Sequence, residues 1–400
     1  DAVRWIMRHL APARGIGPRQ TLIAGDEFGP IGGLPGSDSL MIVPEAAGAT
    51  FVSVGPEPEG VPAGVVHLGG GPPAFRRLLH RQVELRSMLP VAPTADPEWV
   101  VVEEGFNLSR EHEIESLFTV ANGYLGTRGS LAEGSELSAP ATFVAGVYDI
   151  PAKPGSVPEL ARAPDWMRLR ASVDGHVLRL QGTQPLAHRR ILDLRQGILW
   201  REWRHEGPAG RISRVLGARL ASLAERHLLV QAVVLVPENY SGRIQLETWI
   251  ETEPAWPGAL GGVPALLAPV RWDAPSSPPP GRISLLLRAA GTGTEVAFAS
   301  AACLHVPAGG CVEREVVTGG EELVERWAGE VDLGIGRRLD RLVAVYTSRD
   351  RDDPAAAAQR CLDAVLARGV DAAIAEHVAA WARRWHTARI DVEGNADDAR

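Results

Sequence analysis

The side chains best suited to contact a small molecule lie in one turn-rich segment, residues 115–129. Glycines in the second half of this segment permit tight turns and a close approach of the backbone to a neighbour. Tyr124 adds an aromatic face with a hydroxyl group, and Asn122 and Arg128 add hydrogen-bonding groups on either side. The segment could frame a sugar pocket or dock one domain onto another, so Asn122, Tyr124 and Arg128 are candidates for either role.

Acidic residues cluster at 103–104 and again within 111–115, where a pair of carboxylates could be assembled for acid–base chemistry. Clustered charge in a polar stretch usually forms a solvated face. The sequence places no two of these carboxylates across a scissile bond. We therefore predict that these acids face solvent, and we assign no catalytic residue to this chain.

Aromatic side chains form two further patterns. Trp200 and Trp203 could stack on sugar rings, but residues three apart in a strand face opposite sides of a sheet, which favours core packing. His377, Trp381 and Trp385 are spaced four apart and form one stripe on a helix. This stripe predicts packing against a neighbouring domain rather than a metal or haem site.

Composition argues against several classes of protein. The formal net charge of -8 argues against a nucleic-acid-binding surface. The sequence contains neither a long uncharged apolar run nor a visible signal peptide, so we expect no membrane association. Cys303, Cys311 and Cys361 lack zinc-ligand spacing and fit free thiols of a cytoplasmic protein. The start at Asp1 without methionine predicts a piece of a longer polypeptide.

The pattern of elements changes twice along the chain. Residues 1–92 alternate short apolar strands with helical segments, which favours an α/β fold with a parallel sheet. Residues 93–353 contain many short strands separated by turns, which is typical of a large antiparallel β-sandwich. Residues 354–400 carry apolar side chains at helical spacing. The predicted fold is mainly β, with an N-terminal α/β remnant and a C-terminal helical linker.

The sandwich region resembles the N-terminal part of glycoside hydrolase family 65, which contains trehalose, maltose and kojibiose phosphorylases and their hydrolase relatives. The resemblance begins in residues 115–129 and continues through motifs in the family's order and spacing. These motifs are residues 146–149, residues 192–199 followed by Arg201, residues 346–350, and the group of His377, Trp381, Trp385 and residues 391–394. In that family this region is a β-supersandwich that precedes an (α/α)₆ catalytic barrel. The resemblance therefore implies a non-catalytic domain, with the catalytic residues beyond Arg400.

Residues 1–92 resemble a second family, the C-terminal tail of haloacid-dehalogenase-like (HAD-like) phosphatases of the trehalose-phosphatase type. Gly25-Asp26-Glu27 after a strand and residues 36–41 carry this resemblance. It implies that Asp26 and Asp38 would hold Mg²⁺ in an intact domain of that kind, for which carboxylate oxygens are suitable ligands. The nucleophilic aspartates and the lysine of that family have no counterpart in this chain, and a solvated acidic turn is the alternative interpretation.

The family 65 resemblance implies an inverting α-glucoside phosphorylase or hydrolase of carbohydrate metabolism. One glutamic acid with a raised pKa protonates the leaving oxygen while phosphate or water attacks from the opposite face. The implied partners are an α-linked disaccharide, inorganic phosphate and a second subunit in a homodimer, and the family 65 part needs no cofactor. The alternatives are a stand-alone carbohydrate-binding sandwich and a scaffold without catalysis.

Overall fold

The computed structural model describes residues 2–14, 16–18, 21–30, 33–56, 60–150, 155, 157–180, 182–251, 268–273, 282–305, 313–319 and 322–388. The chain forms two compact units. The first contains residues 1–87 and 95–97, and the second contains residues 88–94 and 98–400. Residues 389–400 of the predicted linker lie outside the described residues.

The first unit has a short parallel sheet. Its elements are α1 (Ala2–Trp5), which continues as a wider turn over Ile6–Leu10, β1 (Leu22–Gly25), β2 (Thr50–Ser53), β3 (Val65–His67) and α2 (Gly71–Ser87). The described strands lie in the order β1-β2-β3, and both pairings are parallel. Phe28 and Phe51 pack edge to face at 6.2 Å in its core. The parallel sheet predicted from the sequence is confirmed, whereas its relation to HAD-like phosphatases stays a prediction.

The second unit is mainly β, as predicted. In chain order its described elements are β4 (Val100–Glu104), α3 (Glu111–Leu117), β5 (Val120–Ala121), β6 (Leu125–Thr127), β7 (Thr142–Asp149), β8 (Glu159–Ala163), β9 (Leu169–Val173), β10 (His176–Val177), β11 (Ala187–Asp193), β12 (Ile198–Glu206), β13 (Ile212–Ala221), β14 (Leu228–Pro237), β15 (Gly242–Trp249), β16 (Ala268–Asp273), β17 (Arg282–Arg288), β18 (Glu295–His305), β19 (Glu313–Gly319), β20 (Glu322–Val331), β21 (Arg337–Thr347), α4 (Pro354–Arg368) and α5 (Val370–Ala388).

Antiparallel pairing builds these strands into three sheets. The largest, called here the floor sheet, has the order β16-β17-β18-β21-β14-β13-β12-β11-β4 among the described residues. A second sheet has the order β10-β9-β15-β20-β19, and a third has the order β5-β6-β7-β8. The predicted large antiparallel sandwich is therefore confirmed.

Both smaller sheets cover the same face of the floor sheet. On β14, Val233 and Leu235 pack with the five-stranded sheet, while Leu229 packs with the four-stranded sheet. These residues differ by even numbers, so they point to one side of the strand. The sandwich therefore has two apolar clusters side by side above a common floor.

Helix α4 packs against β17, β18 and β21 of the floor sheet. On β18 the residues that point away from the two clusters are Ala297, Ala299 and Ala301, whose small side chains allow a helix to approach closely. The side chain of Asp353 caps α4 by accepting a hydrogen bond from the Ala356 amide at 2.9 Å. Every residue of β14 is buried, which explains its almost unbroken apolar sequence.

Candidate functional site

Asn122 fixes the turn between β5 and β6. Its Oδ1 accepts hydrogen bonds from the amides of Tyr124 at 2.9 Å and Leu125 at 2.8 Å. Its Nδ2 donates to the carbonyl of Ser222 at 2.7 Å and to that of Arg226 at 3.0 Å. The side chain thus joins this turn to the connection between β13 and β14.

Tyr124 is half-buried, and its hydroxyl donates a hydrogen bond to the carboxylate of Asp350. Its ring meets His227 edge to face at 4.5 Å and lies 5.0 Å from the guanidinium carbon of Arg226. Burial, together with the bond to Asp350, raises the pKa of Tyr124 above its ordinary value. Asp350 also accepts the Thr347 hydroxyl at 2.6 Å. Tyr124 therefore holds together loops that are far apart in the sequence.

Arg128 contacts a different group of residues. Its Nη2 donates to the carbonyl of His112 at 2.9 Å and lies 3.5 Å from Oε2 of Glu115. Glu115 has no exposed surface and also accepts hydrogen bonds from the Ser138 hydroxyl and the Ala139 amide. The structure thus places Asn122 and Tyr124 together, with Arg128 in a separate network.

The acids on α3 correct one prediction. Glu111 and Glu115 were predicted to face solvent, but their exposed fractions are 1% and 0%. Glu111 accepts two hydrogen bonds of 2.8 Å from Nη2 of Arg190, which is itself 1% exposed. Burial raises the pKa of Glu111 against the attraction of Arg190. The prediction was wrong because the arginine that compensates this carboxylate comes from β11, far away in the sequence.

A second pair, which is partly buried, lies beside the first. Arg201 on β12 donates two hydrogen bonds to Glu133, at 2.7 and 2.5 Å. Its Nε donates to Nε2 of His188 at 3.1 Å, while Nδ1 of His188 lies 2.9 Å from the carbonyl of Gly105. Burial, together with the charges of Arg201 and Arg190, lowers the pKa of His188 to about 3, so this imidazole is neutral.

Polar residues form a row across the floor sheet between the two apolar clusters. Arg219 on β13 lies directly opposite Gln231 on β14, which lies directly opposite Arg341 on β21. All three side chains are buried, with exposed fractions of 8%, 3% and 1%. Nη1 of Arg341 donates to the carbonyl of Arg168 at 3.1 Å. The sequence signal for this row is a glutamine inside the apolar run of β14, which was not singled out.

One end of the row opens into a cavity of about 50 Å³. Apolar side chains from the floor sheet and from the five-stranded sheet form part of its wall. Its polar lining consists of Ser130, Glu133, Arg190, Arg201, Arg219 and Gln231. Four of these lining residues are charged, so the cavity lies within a cluster of charged side chains.

The aromatic residues mainly pack. Trp200 and Trp203 have exposed fractions of 6% and 4% and lie in the sandwich core. On α5, Nδ1 of His377 accepts the amide of Leu223 at 3.0 Å, and Nε1 of Trp385 donates to the carbonyl of Leu194 at 3.1 Å. The stripe on α5 thus packs against turns of the sandwich.

In the first unit, a hydrogen bond joins the acidic residue Asp38 to the segment that follows β1. Oδ2 of Asp38 accepts the amide of Glu27 at 2.8 Å, so the loop returns to the end of β1. A Cβ at Gly25 would overlap the Asp38 carboxylate, which explains the glycine at this position. Asp26 is exposed. The described residues contain no group of three or more acidic, histidine or cysteine side chains that could hold a metal ion. The role of Asp26 and Asp38 as Mg²⁺ ligands in an intact domain of that kind stays a prediction.

Two further observations concern the described part of the chain as a whole. Cys303 is exposed and Cys361 is buried, and both are free thiols. Among the residues that the structure describes, no helix is both long enough and apolar enough to cross a bilayer.

Comparison with known proteins adds to this description. The chain is 29% identical over 320 residues to a kojibiose phosphorylase from Caldanaerobacter subterraneus subsp. tengcongensis, which covers 76% of this chain and 40% of that protein. It is 30% identical over 332 residues to an uncharacterized glycosyl hydrolase from Mycobacterium tuberculosis, covering 76% of this chain and 24% of the relative. The chain thus spans less than half the length of these relatives.

A solved structure shares the fold. It is described as "Putative kojibiose phosphorylase from human microbiome", and it superimposes with a TM-score of 0.60 at 15% identity, over 72% of this chain and 38% of that one. The sequence model of glycosyl hydrolase family 65, N-terminal domain, matches residues 101–384. The chain therefore belongs to glycosyl hydrolase family 65, and residues 101–384 are its N-terminal domain.

Proposed function

We propose that this chain is the non-catalytic N-terminal part of an inverting family 65 α-glucoside phosphorylase. The intact enzyme acts on an α-linked disaccharide with inorganic phosphate. The match of residues 101–384 to the N-terminal domain of the family carries the proposal. Relatives named kojibiose phosphorylase and α,α-trehalose phosphorylase support the phosphorylase activity of the intact enzyme. The free thiols Cys303 and Cys361 suit a cytoplasmic enzyme, and a homodimer is part of the same proposal.

The contacts of two buried acids and one partly buried acid support the absence of catalysis in this domain. Glu111, Glu115 and Glu133 are each held by hydrogen bonds from within the sandwich. An inverting enzyme needs a protonated acid and an opposite open face where the nucleophile can enter. Carboxylates held in this way do not leave that face open.

We also propose that Asn122, Tyr124 and Arg128 act in domain architecture rather than in contact with substrate. Their polar groups already bond to residues of the sandwich. The HAD-like identity of residues 1–92, with Asp26 and Asp38 as Mg²⁺ ligands, stays a separate proposal, and we derive no chemical step from it.

The activity is tested by expressing the longer protein encoded by the reading frame that contains this chain. The chain alone is assayed in parallel. We expect the longer protein to release β-glucose 1-phosphate from kojibiose, trehalose or maltose only when phosphate is present, and the chain alone to release none. Release of free glucose without phosphate would identify a hydrolase instead. Turnover by the chain alone would contradict the non-catalytic role.

The role of Asn122 is tested separately with Asn122→Ala in the active protein. A structural role predicts a lower Tm with an unchanged KM for the disaccharide. Asn239→Ala is the matched control, because Asn239 makes similar bonds to the Ile212 amide and the Gly210 carbonyl elsewhere in the sandwich. A raised KM for Asn122→Ala alone, with unchanged Tm, would instead indicate contact with substrate.

A further inference from the structure

The cavity beside the polar row contains hydrogen-bond donors that have no partner in the described structure. Nε and Nη1 of Arg190 and Nε of Arg219 are buried and make no hydrogen bond to any described residue. Both arginines line the cavity and are more than nine-tenths buried. Buried N–H groups of this kind are rare unless a water or an ion satisfies them.

The charges around the cavity do not cancel. Arg190, Arg201 and Arg219 each carry a positive charge, and Glu111 and Glu133 compensate two of them through direct hydrogen bonds. His188 is neutral, as described above. One positive charge remains next to the cavity. Asp165, which attracts Arg219, forms an ion pair with Arg168 at 3.3 Å.

Arg219 carries this excess charge. Its Nη1 donates only to backbone carbonyls, those of Ser130 at 3.1 Å and Arg128 at 3.4 Å. Burial lowers the pKa of Arg219 to about 10 against the attraction of Asp165, and the charges of Arg201 and Arg190 lower it further. A guanidinium in this position lacks a carboxylate of its own.

The cavity wall also offers acceptors. Nε2 of Gln231 donates to the carbonyl of Met167 at 3.1 Å, which fixes the orientation of the amide because a carbonyl can only accept. Its Oε1 therefore remains without a donor in the described structure, as does the hydroxyl of Ser130. Donors with excess charge and neutral acceptors in one cavity fit an anion accompanied by water.

Size limits the occupant. A cavity of about 50 Å³ holds roughly three to five waters at about 10–15 Å³ each. That space suits one halide-sized ion with one or two waters. A single excess charge also matches a monovalent ion better than a phosphate dianion.

We propose that this cavity binds a small monovalent inorganic anion such as chloride, held by the free N–H groups of Arg190 and Arg219. The anion neutralises the unpaired guanidinium between the two sheets. Water bridges the anion to Gln231 and Ser130. The site is structural and lies within the family 65 domain, so the proposal does not depend on the reaction that the intact enzyme catalyses.

Thermal unfolding of the whole chain tests the proposal in chloride, bromide, sulfate and isethionate buffers of equal ionic strength. We expect Tm to rise in chloride and bromide only, by roughly 3 °C at ten times the Kd, and to keep rising with the logarithm of the halide concentration above the Kd. Arg219→Gln should abolish this rise. Arg214→Gln is the matched control, because Arg214 lies on the same strand with its side chain on the opposite face and pairs with Glu202. An equal rise in isethionate, or a chloride response that persists in Arg219→Gln, would overturn the site.

Diffraction from crystals of the unaltered chain grown in bromide decides the question even if Arg219→Gln does not fold. We expect an anomalous peak between the guanidinium groups of Arg190 and Arg219. Well-ordered water in that place, with no anomalous signal, would show that the cavity is hydrated and not an anion site.

Discussion

Replacing Gly197 with alanine is expected to lower the free energy of unfolding by about 3 kcal/mol. Gly197 lies in the turn between β11 and β12 with φ of 64°, a conformation that costs a non-glycine residue roughly 1–2 kcal/mol. A Cβ at this position would also lie 2.9 Å from Cδ1 of Trp381 and closer still to its Nε1. Overpacking of this kind costs roughly 1–3 kcal/mol, because the indole on α5 must move.

Urea unfolding followed by circular dichroism measures this loss. Gly175→Ala is the matched control, because Gly175 has φ of 80° with nothing within 4 Å of the added Cβ. It should lose only the conformational part, about 1 kcal/mol. The double variant Gly197→Ala/Trp381→Ala should lose less stability than the sum of the two single losses, since the added methyl group has no indole to clash with. Equal losses in Gly197→Ala and Gly175→Ala would refute the packing of Trp381 on this turn.

Three further substitutions test the buried networks. Glu111→Gln should lower the free energy of unfolding by about 3 kcal/mol in urea titrations, because the Arg190 charge is left without compensation. Tyr124→Phe should lower it by about 1–2 kcal/mol through loss of the hydrogen bond to Asp350. Burial lowers the pKa of His377 to about 4, so the unfolded chain binds more protons between pH 4 and about 6.5, and stability falls as pH decreases through that window. His377→Gln should flatten the pH dependence of stability there by about 1 kcal/mol per pH unit.

Each of these substitutions has a counterpart on the surface of the same sandwich. Glu104→Gln removes a carboxylate that is 64% exposed and pairs with Arg189, and it should change stability by less than about 1 kcal/mol. Tyr148→Phe and His176→Gln alter exposed residues and should leave stability and its pH dependence nearly unchanged. If these surface variants lost as much unfolding free energy as the buried variants, the measured losses could not be attributed to the buried networks.

The fold class was predictable because the strands carry their own signals. The apolar run of β14 and the helical spacing in α4 and α5 follow from local sequence. Helix α3 was missed, since its glutamates indicate a polar surface segment. Their burial depends on Arg190 and on the Ala139 amide, and no local pattern reveals such distant partners.

The candidate side chains within the segment 115–129 were identified from the sequence, but their contacts were not. Asn122 bonds to Ser222 and Arg226, about a hundred positions away, and Tyr124 bonds to Asp350 still farther along the chain. The polar row could not be predicted from the sequence either, because its members are also far apart in the chain. Each strand contributes one polar side chain to it, and only the register of β13, β14 and β21 brings those side chains together.

The strand order of the floor sheet also constrains how the domain is made during translation. Its edge strand β4 begins at Val100, whereas β21, which lies between β14 and β18, ends at Thr347. Until β21 leaves the ribosome, β14 and β18 each have an unpaired edge, and such edges favour aggregation. Pairings that span so much sequence also close slowly. The domain therefore completes its core only when almost its entire length has been synthesised, and a nascent chain of this kind is a natural client for chaperones.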